Sequence, residues 1–89
     1  MLGVVIAVNA RRRLVLVEVN GGSCSLLTDC REQPKPGVVL EGLLDRKGIE
    51  TLLNINTGSI FEARVEFIHL PKRAALMSLV SQPAEAPAV

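Results

Sequence analysis

Ile60-Phe61-Glu62-Ala63-Arg64-Val65-Glu66-Phe67-Ile68 decides the fold class. Phe61, Ala63, Val65 and Phe67 alternate with Glu62, Arg64 and Glu66. A strand turns successive side chains to opposite faces, so a period of two marks one face toward a core and one toward water. The stretch predicts a strand over 60–68. It also predicts that Phe61 and Phe67, the only aromatics of the chain, are core anchors on its buried face.

Working back toward the start, Asn56-Thr57-Gly58-Ser59 breaks the chain before this strand. A strand at 49–55 precedes the break, and Asp45-Arg46-Lys47-Gly48 turns the chain before that. Pro36-Gly37 launches another apolar segment at 38–44. The segment 29–37, with two prolines and several charges, reads as a loop. Further back lie strands at 23–28, 13–19 and 2–8, with the turn signal Asn20-Gly21-Gly22 between the first two of these. In the strand at 13–19, Val15, Val17 and Val19 point one way and Leu14, Leu16 and Glu18 the other.

Toward the other end, Pro71 can open a helix, where its missing N–H costs nothing. Leu76, Leu79 and Val80 then form one apolar stripe over a helix at 71–81, which Pro83 stops. This stripe either plugs the open end of its own barrel or lies on a partner subunit. Residues 83–89 read as a flexible tail. Short strands at roughly ten-residue spacing suggest a small barrel, which leaves few exposed edges. The expected fold is all-β: one domain over 1–82, a five-stranded OB-like small barrel with an additional C-terminal strand and one short helix. An SH3-like barrel shares the spacing.

The chain has 89 residues, 48% hydrophobic and 2% aromatic, with ten Lys+Arg against nine Asp+Glu. That is room for one domain. The balance excludes a strongly basic nucleic-acid coat and an acidic tail. The first eight residues are apolar, but Arg11, Arg12 and Arg13 follow them where a secretory signal needs its charges in front. No stretch reaches the length of a membrane span. Cys24 and Cys30 are too few for a disulfide-stapled secreted domain and lack zinc-ligand spacing. A cytoplasmic chain is expected, with ordinary thiols and neither metal nor cofactor. The apolar excess is large for so small a core, which points to a subunit interface.

The first five strands, about residues 2–58, resemble a cold-shock-type OB fold. Gly3-x-Val5 opens the first strand, Asn9 closes it, and a basic loop leads to the second. Pro36-Gly37-Val38-Val39-Leu40-Glu41-Gly42 is similar to the family's entry to strand four. Gly48 through Leu53-Asn54-Ile55 is similar to its fifth strand. The segments from Gly3 to Arg12 and from Gly48 to Gly58 also resemble small bacterial proteins with the same start and the same later Asn and Gly spacing. The resemblance implies binding of single-stranded nucleic acid. The family does this with aromatics on strands two and three, whereas Arg13-Leu14-Val15-Leu16-Val17 and Ser23-Cys24-Ser25-Leu26-Leu27 contain none. Each stacked base is worth about 1–3 kcal/mol, so most of a micromolar affinity is missing.

What remains is electrostatic. Arg11, Arg12, Arg13, Arg31, Lys35, Arg46 and Lys47 fall in turns, while Glu18, Glu41, Glu50, Glu62 and Glu66 fall in strands. If the basic loops gather on one side, they form a positive rim able to grip phosphates. His69 is the only histidine and has no catalytic or metal-ligand companions in recognisable spacing. Cys24 and Cys30 could form a redox pair only without a C-x-x-C motif. Glu41 and Glu50 could pair as an acid and a base across a turn, but such carboxylates are usually solvated. No phosphate loop, nucleophile elbow or metal constellation appears. The expectation is therefore a non-enzymatic binding module without a small-molecule substrate. It either holds single-stranded nucleic acid weakly through its basic loops or is a protein-interaction or self-association module, for instance a homodimer.

Overall fold

A computed structural model of the chain describes residues 1–80. Six strands form a closed barrel: β1 (Leu2–Asn9), β2 (Leu14–Glu18), β3 (Cys24–Thr28), β4 (Val39–Glu41), β5 (Gly48–Asn54) and β6 (Ile60–Leu70). One helix, α1 (Lys72–Val80), follows. Around the barrel the order is β1-β2-β3-β6-β5-β4, and every pairing is antiparallel. The long loop after β3 carries the chain back so that β4 lies beside β1, a Greek-key connection. The small all-β barrel with a C-terminal helix is the expected class. The sixth strand, however, is not an addition to a five-stranded barrel: β6 stands between β3 and β5 and closes the wall. β6 pairs with β5 through its first half, Ile60 to Val65, and with β3 from Arg64 to Leu70, so it bridges the two strands.

The fourth strand is shorter than the expected 38–44. It ends at Glu41 because Gly42 crosses β5 so closely that a side chain there would collide with Leu52. The chain then turns inward to bury Leu44.

Two apolar clusters flank the β2–β3 sheet. The barrel interior holds Val5, Val15, Val17, Leu27, Leu40, Leu44, Leu52, Phe61, Ala63 and Val65. The second cluster lies outside the wall, where Leu14, Leu16, Cys24 and Leu26 meet Ala75 and Leu79 of α1. β2 and β3 are thus buried on both faces, which explains their near-continuous apolar runs. The helix neither plugs an end of the barrel nor needs a partner subunit to pack. It lies across the outer surface of β1, β2 and β3, and Asn9 Nδ2 donates to the Leu79 carbonyl at 2.9 Å. Of the expected stripe, Leu79 is buried and Leu76 is 40% exposed. The side chain of Val80 and the tail at 83–89 lie outside the described residues.

Phe61 is buried as expected, but Phe67 is 46% exposed. The pairing with β3 explains the difference. Leu27 faces Val65 and Leu26 faces Phe67, so Glu66 is an extra residue on β6. A bulge of this kind exchanges the two faces of the strand beyond it. Phe67 turns out, and Ile68 packs against the barrel interior in its place. A second irregularity contains His69, which is exposed and has φ 57°, a left-handed conformation that His tolerates better than most residues.

Candidate functional site

Two surface features stand out, an arginine-lined cleft and an apolar groove. The cleft begins with the β1–β2 turn. Asn9 accepts a hydrogen bond from the Arg12 backbone N–H at 3.3 Å and starts a 3-10 turn over Ala10–Arg12. Arg13 closes that turn in the left-handed conformation, φ 58°. The loop after β3 is fixed to β6 by the Arg31 N–H, which donates to the Glu62 carbonyl at 3.2 Å. These anchors bring Arg13 and Arg31 to one cleft of about 360 Å³, together with Arg64, Asp29 and Glu62. Arg64 Nε lies 3.9 Å from Asp29 Oδ2, an exposed pair worth about 1 kcal/mol or less. Arg11 and Arg12 are exposed on the adjoining turn.

The other basic residues do not join this cleft. Lys35 lines a separate groove beside Glu32 and Val38. Arg46 and Lys47 lie in the β4–β5 connection, where β1 begins, while Arg11–Arg13 lie where β1 ends. The Lys47 ammonium sits 5.8 Å from the centre of the exposed Phe67 ring, within cation–π range. The basic loops thus split into an arginine cleft and isolated cations. Arg64 belongs to the cleft although its strand position hid it in the sequence. Its alternation with Ala63 and Val65 marked it as outward-facing, but only the barrel register places it beside the Asp29 turn.

The thiols are divided between the clusters, Cys24 under the helix and Cys30 in the barrel interior. Burial pushes the Cys30 thiol up to about 12, with Asp29 adding to the effect. Cys24 is also raised, by burial and then by Glu18. Neither is a poised nucleophile, since the thiolate is the reactive form.

The groove lies on the opposite wall from α1, and its volume is about 530 Å³. Leu43, Ile49, Leu53 and Ile60 supply its apolar surface, and Ile49 and Ile60 are 60% and 67% exposed. Glu41 and Glu50 both line it. The loop carrying Leu43 is held from inside, where the buried Ser25 hydroxyl donates to the Leu44 carbonyl. Among the described residues no three His, Cys, Asp or Glu side chains gather as a metal site. No described helix is long and apolar enough to cross a membrane. Comparison with family models, with curated proteins and with solved structures finds no match.

Proposed function

We propose that the protein is a self-association module that meets other copies through the outer wall of β4, β5 and the start of β6. One observation carries this reading. The helix covers the β1–β3 wall, while the opposite wall presents Leu43, Ile49 and Ile60 to solvent around one groove. Contiguous apolar surface of this kind is uncommon on a monomer and marks interaction sites. The test is sedimentation equilibrium over a wide concentration range. Association is expected, and Ile49→Lys with Ile60→Lys should abolish it. Both side chains are exposed, so the double variant keeps its core. A wild-type chain that stays monomeric throughout overturns the reading.

A second reading is supported by the arginine cleft. Arg13, Arg31 and Arg64, with Arg11 and Arg12 alongside, would contact the phosphates of single-stranded nucleic acid weakly and without base stacking. Asp29 and Glu62 in the same cleft weaken its field, and the outer surface of β2 and β3 lies under α1. Binding of a labelled oligonucleotide at low and moderate salt tests it. Affinity should fall steeply with salt and vanish when Arg11, Arg12 and Arg13 become Ser. Salt-independent binding, or none, removes this reading.

A further inference from the structure

We infer that the arginine cleft holds the terminal phosphate of a single strand, a monoester, and not a run of internal diesters. This rests on the nucleic-acid reading above and names the group that the cleft selects. The first observation is how the charges of the cleft are paired. Arg13, Arg31 and Arg64 come from the β1–β2 turn, the loop after β3 and β6, and they share the cleft with Asp29 and Glu62. Arg64 lies 3.9 Å from Asp29, but Arg13 and Arg31 make no ion pair with any described carboxylate. Glu32, which borders Arg31 on its other side, accepts a hydrogen bond from the Ser59 hydroxyl at 2.8 Å. Two guanidinium forks are therefore uncommitted. Their places are fixed by backbone: Arg13 closes its turn in the left-handed conformation, and the Arg31 N–H is tied to the Glu62 carbonyl.

The second observation is where the positive surface stops. Arg11 and Arg12 extend it over the adjoining turn. On the far side Arg64 faces Ile49 across the strands, and Ile49 and Ile60 are exposed and apolar. Lys35 lines a different groove, and Arg46 and Lys47 lie at the other end of β1. A strand passing through the cleft would lay its next phosphate on Glu62 or on these isoleucines. A strand that ends in the cleft needs cations on one side only, and the β1–β2 turn supplies them. The terminal group also suits the forks better. A phosphate monoester carries about two negative charges and three free oxygens, against one charge and two oxygens for a diester, and arginine forks take such oxygens in pairs.

The test measures the fluorescence anisotropy of short oligothymidylates at low salt, with the full chain. Each is labelled at one end and carries a phosphate or a hydroxyl at the other, one set exposing the 5′ end and one the 3′ end. A phosphate on at least one of these ends should tighten binding by about tenfold, the worth of a charge-assisted hydrogen bond. Arg31→Gln should remove that gain and make the log–log fall of affinity with salt shallower by roughly 0.7. Lys35→Gln should preserve the gain. Both side chains are exposed, and circular dichroism verifies each fold. Equal affinity with and without the phosphate overturns the inference. Salt-dependent binding that is abolished when Arg11, Arg12 and Arg13 become Ser then leaves the nucleic-acid reading standing. A gain that survives Arg31→Gln overturns the cleft as its site. A phosphoserine peptide that binds as tightly as the phosphorylated oligonucleotide overturns the strand end as occupant. No binding of any oligonucleotide overturns both.

Discussion

Leu79→Ala should release α1 from the barrel wall without unfolding the barrel. The helix is held by few contacts. Ala75 and Leu79 are its buried side chains among the described residues, and Asn9 Nδ2 bonds the Leu79 carbonyl. Burying a leucine is worth about 1.5–3 kcal/mol and a hydrogen bond roughly 1 kcal/mol net. A nine-residue helix is too short to hold itself in water, so this docking must also offset the entropy of ordering it. Leu→Ala in a packed site costs about 2–5 kcal/mol. Even the lower figure raises the fraction of time the helix is open by about 30-fold, since 1.4 kcal/mol is tenfold.

The two cysteines report this opening separately. Cys24 lies beneath the helix and Cys30 inside the barrel. Thiol labelling at neutral pH, with each site read by mass spectrometry, should accelerate on the order of 30-fold at Cys24 in the variant. Labelling at Cys30 should lag far behind. Equal acceleration at both thiols would mean that helix and barrel open as one unit. An unchanged rate at Cys24 would mean that Leu79 does not hold the helix. Either result refutes the account of α1 as a separately docked cover.

Three further outcomes follow from the barrel itself. Gly3→Ala should lower the urea midpoint by the equivalent of about 1–3 kcal/mol, because the added methyl meets Val17 and Leu44, the latter at 2.9 Å. Ser25→Ala should cost about 1–3 kcal/mol by removing the donor to the buried Leu44 carbonyl, and it should weaken self-association by loosening the loop that carries Leu43. Stability should also fall in alkali through Cys30. Its thiol keeps its proton up to about 12 when folded, against 9.0 for the ordinary value. Unfolding above pH 9 therefore releases a proton. The contribution is intact below that pH and lost toward 12, by roughly 1 kcal/mol per pH unit. Denaturation series at stepped pH should show a shallower decline in Cys30→Ala than in the wild type.

The alternation around Phe61, Ala63 and Val65 was legible because one face of β6 is core and the other water. The same rule failed at Phe67, since a bulge leaves no periodic trace: Glu66 looks like any outward strand residue until its pairing with β3 is known. Closure of the barrel by β6 was hidden for a related reason. Alternation fixes which face is buried but not which strand lies alongside. The basic turns were visible as turns, yet which of them converge depends on barrel register. Arg31 reaches the cleft because its backbone is tied to Glu62, and Lys35, four residues on, does not.

The ring-free side chains of β2 and β3 and the presence of α1 belong to one arrangement. A face that stacks bases must be open to solvent, and its rings have to stand clear of the wall. Here the outward side chains Leu14, Leu16, Cys24 and Leu26 are small enough to let a helix lie flat against the sheet, with Ala75 at the point of contact. Bulky rings at those positions would lift the helix away. Outward side chains without rings are therefore what allows the cover. The cover in turn carries Arg73 and Leu76 to the surface. On this account a Leu26→Phe substitution should impair helix docking before it creates any affinity for bases. The variant should then gain Cys24 labelling, and an unchanged labelling rate would refute the account of Leu26 as a side chain that lets the helix lie flat.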